Sequence, residues 1–245
     1  MNDVRINFLP VNRWMNYLRQ GYNALLDFVF YPYCYLCEHR LDSGKQLICE
    51  QCWQSYRNPS GGRPLSPDDF HFQQKTYFDK SFTLYIFSEK SLLLIHLFKY
   101  DHKSSLGERI GVEIGQFITS TPTFRNVDML VPIPLHPVRK RERGYNQSEI
   151  LTKYASLQSG IPVMNHLVKR TVNNPSQTGL NLEERKKNIE GIFELSDTQI
   201  VKGKRILIID DVMTSGVTMN ECAKILKKAG ATEVFCLAVI HPERL

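Results

Sequence analysis

The chain has 245 residues, of which 42% are hydrophobic and 23% charged, proportions ordinary for a soluble globular protein with one sizeable core and a small accessory module. No apolar run approaches the roughly 18 to 20 residues needed to cross a bilayer, which excludes membrane insertion. The net charge of +6 sits mostly in the second part of the chain and favours anionic partners.

Near the start, Trp14, Leu18, Tyr22, Leu25 and Val29 recur at three- and four-residue spacing, the pattern of one packed helix face. Arg5, Arg13 and Arg19 are scattered through the same stretch, and no apolar core precedes a small-residue cleavage site. This does not read as a secretory signal, and the expected compartment is the cytoplasm.

Four of the six cysteines follow in "CYLCEHRLDSGKQLICEQC", with Cys34 and Cys37 forming one CxxC and Cys49 and Cys52 another. Each CxxC can bend around one ion, and four thiolates complete the tetrahedral shell of structural Zn²⁺. Such a shell leaves no place for water or substrate, so the metal is expected to fold the module and not to catalyse. Asp42, Ser43 and Gly44 suit a hairpin tip between the pairs. The competing readings are two disulfides or a redox-active CxxC, and the missing signal peptide and duplicated spacing weigh against both. Cys222 and Cys236 read as small buried hydrophobes. "NPSGGRPLSPDD", Asn58 to Asp69, reads as a linker, giving a first module over residues 1–69 and a main domain over 70–245.

In the main domain "SFTLYIF" has strand composition, and "SLLLIHLFKYDHKSSLGERIGVEIGQFI" reads as helical segments broken near Tyr100 to Ser105. Strand and helix then alternate: "VDMLVPIP", a helix from about Gln147, "HLVKRT", a polar gap, "GIFEL", "RILIID", a helix from about Thr218, and "VFCLAVI". This order predicts an α/β fold with a largely parallel sheet flanked by helices. Ligands in such sheets bind where loops leave the carboxyl ends of strands. Pro132 to Pro137, Asn173 to Lys187 and Asp210 to Thr218 all follow strands.

The last of these stretches poses a chemical question, because "RILIIDDVMTSGVT" ends a buried strand on two adjacent carboxylates. A helix starting near Thr218 presents unpaired amides at its N-terminus, the loop Val212 to Val217 adds more, and Gly216 permits close approach to an anion. Thr214, Ser215 and Thr218 supply hydroxyl donors to the same phosphate, while Asp210 and Asp211 repel it and suit the vicinal hydroxyls of a ribose. The loop therefore reads as a site for a phosphorylated sugar.

"ILIIDDVMTSGVT" resembles the 5-phosphoribosyl 1-pyrophosphate (PRPP) loop of type I phosphoribosyltransferases, with Ser215 where threonine is usual. The resemblance assigns PRPP contacts to Asp210, Asp211, Val212, Met213, Thr214, Ser215, Gly216, Val217 and Thr218. A narrower resemblance covers nearly the whole chain. The paired CxxC motifs, "VPIPLHPVRKRERGYNQSEIL", "QTGLNLEERKKNIEGIF" and the loop above stand in the order found in the ComF family, competence-associated proteins with an N-terminal zinc module and a type I phosphoribosyltransferase-like domain.

That resemblance implies a pyrophosphate loop at Leu135, His136 and Pro137, with backbone contact favoured over the His136 side chain. It places the flexible loop of the fold across "TVNNPSQTGLNLEERKKNIEG", with Arg170, Gln177, Arg185 and Asn188 as anion or backbone contacts. Lys99 and Tyr100 fall in the hood that covers an acceptor base, unless "SLLLIHLFKY" is simply a buried helix ending in lysine. Arg139, Lys140, Arg141, Arg143, Tyr145 and Asn146 admit two roles, neutralising pyrophosphate or lining a nucleic-acid path in which Tyr145 stacks on a base. A solvated helix start is the third reading of that stretch.

The function expected is therefore a competence protein that binds PRPP with Mg²⁺, or a related nucleotide, and acts on incoming single-stranded DNA with a helicase-like partner. The alternative is a catalytic transferase in base or nucleotide salvage, since the PRPP half is evident and no acceptor-reading group is. Release of pyrophosphate from PRPP with a panel of bases separates the two. In a third reading the pocket is a vestige and the zinc module recruits a protein.

Overall fold

The computed structural model describes residues 32–41, 47–56, 62–65, 75–100, 104–173 and 190–242. Two compact units divide the chain, Met1–Gln54 and Ser55–Leu245. The predicted N-terminal helix and the hairpin tip Asp42 to Gly44 lie outside the described residues.

The first unit is organised by its cysteines. Around the first CxxC, Tyr33 bridges Arg40 in antiparallel fashion, the Cys34 amide donates to the His39 carbonyl at 2.8 Å, and that of Glu38 returns to the Cys34 carbonyl at 2.8 Å. The turn closes with Glu38 in the left-handed region at φ 59°. The second pair is carried on the short helix α1, Glu50–Gln54, whose start places Cys49 and Cys52 one turn apart.

The second unit is built on a five-stranded sheet. In chain order the strands are β1 Arg63–Leu65, β2 Lys80–Thr83, β3 Met129–Pro132, β4 Val168–Arg170, β5 Phe193–Leu195, β6 Arg205–Val212 and β7 Glu233–Ile240. The main sheet runs β1-β2-β7-β6-β3, and β4 and β5 form a separate antiparallel pair. Only the β1–β2 pairing in the main sheet is antiparallel; β2–β7, β7–β6 and β6–β3 are parallel. Arg63–Leu65 thus lies inside the stretch expected to be linker yet forms an edge strand, because Pro64 cannot donate to a ladder and an edge tolerates it.

Central strands are apolar on both faces, as burial under two helical layers requires. On one face Val131, Ile206, Ile208, Val234 and Cys236 pack with Cys222, Ala223 and Leu226 of α6, Val217–Lys228. Residues of the opposite parity, Leu130, Leu207 and Ile209, are equally buried and point the other way. Helix α5, Gln147–Ser159, lies against β3 and β6, and α3, Ser104–Ser120, packs on α5. The reading of Cys222 and Cys236 as core residues holds, since both are fully buried.

The α3–α5 contact is close because α3 presents Gly107, Gly111 and Gly115 at four-residue spacing. A Cβ on Gly111 would stand 2.6 Å from Tyr154 Cβ and 2.8 Å from the Leu151 carbonyl oxygen. Helix α2, Glu89–Tyr100, precedes α3, and a seven-residue helix α4, Pro137–Arg143, fills the space between β3 and α5. No helix among the described residues is long and apolar enough to cross a membrane.

Candidate functional site

The carboxyl end of β6 carries the site. Parallel pairing sets Asp210 opposite Ala238 and Val212 opposite Ile240, and the Met213 amide continues the ladder by donating to the Ile240 carbonyl at 3.1 Å. The chain then turns through an exposed Thr214 and a half-buried Ser215 to Gly216. Gly216, at φ 70°, occupies the left-handed region that a side chain resists, and it starts α6 with no side-chain cap. The first amides of α6 are thereby left for an anion, reinforced by the helix dipole. Val217 and Thr218 are half-buried in that first turn.

The two carboxylates have different surroundings. Asp210 accepts from the Ser148 hydroxyl at 2.6 Å and from the Asp211 amide at 2.9 Å. Burial, and then the Asp211 charge, push its carboxyl up to about 7, against the opposing pull of Ser148 and Lys99. Asp211 is buried and pairs with the Lys99 ammonium at 3.0 Å.

Next to this pair stands a concentration of positive charge. Burial and the neighbouring Arg139 guanidinium hold Arg170 below the usual guanidinium range, while the Asp210 charge pulls the other way. Arg170 ends β4 and Arg139 lies in α4, so separate elements bring two guanidiniums and a carboxyl together.

Sequence stretch "LHPVRKRERG" forms more regular structure than expected. Pro137 opens α4 at its first position, His136 caps it by accepting from the Val138 amide at Nδ1 (3.3 Å), and Gly144 ends it at φ 79°. Leu135 and His136 therefore close the short connection, residues 133–136, between β3 and α4. Lys140 is held by both oxygens of Glu149, at 2.8 and 2.7 Å, and Arg143 donates to Gln147 at 3.3 Å. Arg141 is exposed and Arg139 half-buried.

Tyr145, Asn146 and Gln147 point inward. Asn146 is buried, donates to the Ile133 carbonyl at 3.0 Å and accepts from the Ser148 amide at 3.1 Å, so it starts α5 and ties it to the strand end before α4. The Tyr145 hydroxyl donates to the Phe98 carbonyl, its ring lies 6.0 Å from that of Phe98, and Gln147 reaches the Lys99 carbonyl at 3.5 Å. The structure thus sets Lys99 against Asp211 at the loop, with Arg170 near enough to feel the charges of Arg139 and Asp210. Gln177, Arg185 and Asn188, and the side chain of Tyr100, lie outside the described residues.

Two contributors went unread in the sequence. Ser148 stands in the "GYNQSE" motif but is joined to Asp210 only by the fold. His241 is buried beyond β7 and donates from Nδ1 to the Met213 carbonyl at 2.5 Å, fixing the start of the loop. The parallel register beside Ile240 is the signal that locates it.

In the first unit the four sulfurs of Cys34, Cys37, Cys49 and Cys52 all lie within 4.8 Å of one another, and those of Cys37 and Cys49 are 3.7 Å apart. A tetrahedral shell with Zn–S bonds of about 2.3 Å places sulfurs about 3.8 Å apart. The Cys49 amide donates to Cys34 Sγ at 3.3 Å and the Cys52 amide to Cys49 Sγ at 3.4 Å, contacts that favour thiolates. The four can hold a metal.

Residues 125–244 match the family model described as a phosphoribosyl transferase domain. Over 213 residues the chain is 27% identical to Competence protein F of Haemophilus influenzae, covering 82% of this chain and 93% of that protein. It is 28% identical over 219 residues to DNA utilization protein YhgH of Escherichia coli strain K12, covering 83% and 95%. With Competence protein ComFC of Bacillus subtilis it shares 32% identity over 114 residues, 46% of this chain and 44% of that protein.

Proposed function

The chain belongs to the ComF family, and we propose that it binds PRPP, or a related phosphoribosyl nucleotide, at the carboxyl end of β6 and acts on internalised single-stranded DNA in natural transformation. A competence role and a phosphoribosyltransferase-like domain come with the family. The observation that carries the ligand is the uncapped start of α6 at Gly216 beside two buried or half-buried carboxyls. The first amides of α6 and the hydroxyls of Thr214, Ser215 and Thr218 take the 5-phosphate. Asp210 and Asp211 take the ribose hydroxyls, and Arg170 neutralises the pyrophosphate.

Zinc is the ion this reading assigns to the four thiols, as a structural element of the first unit. Mg²⁺ would accompany PRPP and offset the charge of its pyrophosphate. The partner implied is a helicase-like competence protein, and the compartment is the cytoplasm, where internalised DNA is handled.

The DNA path is assigned to α4, whose cations stand beside the site and are in part exposed. Cations that neutralise phosphates release counterions, with a slope of about 0.7 per contact on a single strand. Replacing Arg139 and Arg141 with alanine is expected to lower the slope of log affinity against log salt for a short oligonucleotide by about 1.4. Loss of PRPP affinity with oligonucleotide binding untouched at every salt concentration would instead assign α4 to pyrophosphate alone and favour a salvage transferase.

A further inference from the structure

We infer that Ser148 is a positioning residue of this site: its hydroxyl fixes the carboxyl of Asp210 so that one oxygen is held within the protein and the other is left for the ligand. The inference rests on the phosphoribosyl reading and goes further, because it gives a role in binding to a buried side chain that acts only through Asp210.

The segment "YNQS", Tyr145 to Ser148, leads into α5, and Asn146, Gln147 and Ser148 are all buried. Polar side chains are kept inside a protein where they are hydrogen-bonded. Successive positions on a helix are turned by about 100° from one another, so neighbours at its start aim at different elements. Tyr145 donates its hydroxyl to the Phe98 carbonyl and Gln147 its amide to that of Lys99, both at the end of α2. Asn146 donates to the Ile133 carbonyl, just past β3, at 3.0 Å. Ser148 donates to Asp210 Oδ1, near the end of β6, at 2.6 Å. One short segment thus ties together the ends of α2, β3 and β6.

The backbone of Ser148 is satisfied close by: its amide donates to Asn146 Oδ1 at 3.1 Å and its carbonyl accepts from the Thr152 hydroxyl at 2.6 Å. Its hydroxyl alone reaches across to another element. The last torsion of an aspartate is broad and roughly two-fold, so a carboxyl with nothing to hold it exchanges its oxygens freely. In Asp210 the same oxygen, Oδ1, accepts from Ser148 and from the Asp211 amide at 2.9 Å. Two donors fill the lone pairs of that oxygen, and Oδ2 keeps its own. The Asp211 amide moves with β6, whereas Ser148 holds the carboxyl from α5. Asp211 is held differently, through the Lys99 ammonium at 3.0 Å. Loss of the serine hydroxyl therefore reaches the ligand through Asp210, and a carboxyl set in place beforehand spares the ligand the cost of ordering it.

The test is a double-substitution cycle on the full chain, read as affinity for ribose 5-phosphate at pH 8, where the Asp210 carboxyl is ionised. Alanine is the best helix former, so Ser148→Ala leaves the start of α5 intact. It is expected to weaken binding about five- to ten-fold, the effect of one hydrogen bond to a charged group. In a chain that already carries Asp210→Ala, the same substitution is expected to cost nothing further, since the carboxyl it positions is gone. A serine that merely supports the fold gives another pattern, the same loss with and without Asp210, and that result overturns the inference alone. Unchanged affinity in the single Ser148→Ala variant does the same. No binding of ribose 5-phosphate by the unaltered protein overturns the phosphoribosyl reading, and the inference with it.

Discussion

Asp210 concentrates the consequences of the site in one side chain. Its carboxyl is raised to about 7 by burial and by Asp211, with Lys99 and Ser148 opposing, whereas an unfolded aspartate titrates near 3.9. Between about pH 4 and 7 the folded chain therefore holds more protons than the unfolded one, and this group's contribution to stability falls as pH rises. The contribution is full below about pH 4 and lost as pH passes through 7. Asp210→Asn cannot ionise and keeps an oxygen for Ser148. Its melting temperature is expected to exceed that of the unaltered protein at pH 8, with the gap closing toward pH 4. Equal melting temperatures at pH 8 would mean that the carboxylate is not penalised by its surroundings. None of this was readable in "DD": the motif suggested two equivalent ribose ligands, and only the partners Ser148 and Lys99, brought from α5 and α2, distinguish them.

At the scale of elements, long apolar segments were legible and short polar ones were not. β6 and β7 announce themselves as runs of aliphatic residues, and their burial on both faces matches that composition. Helix α4 has no apolar stripe and was read chiefly as a charge cluster, although Pro137 and Gly144 are its start and stop signals. The glycines of α3 also escaped notice, since nothing in "GERIGVEIG" says that another helix approaches. Gly111→Ala gives the sharpest check. Alanine in a helix interior ordinarily gains about 0.5 to 1 kcal/mol over glycine. Here the new methyl would meet Tyr154 and the Leu151 carbonyl, so a net loss of about 1 to 3 kcal/mol is expected in urea unfolding. A gain in stability would show that α3 and α5 stand farther apart than described.

For the whole molecule the sequence conveyed two parts, a cysteine-organised unit and an α/β unit, because each has its own physical signature: paired CxxC motifs in one, alternating strand and helix in the other. The chain divides between Gln54 and Ser55. If the first unit is held by zinc, purified protein should contain about one zinc ion per chain. Cys49→Ala should then release the metal and unfold the first unit while PRPP affinity is retained; disulfide-bonded cysteines in metal-free protein would contradict this. What ties the account together is the claim that the loop after β6 holds a phosphoribosyl group through its carboxylates. Calorimetric titration of PRPP tests it most directly. The unaltered protein should bind saturably, and Asp211→Ala should weaken binding about ten-fold or more, since hydrogen bonds to charged groups contribute about 1.5 to 3 kcal/mol each. Affinity unchanged by that substitution, or no binding at all, would contradict the assignment.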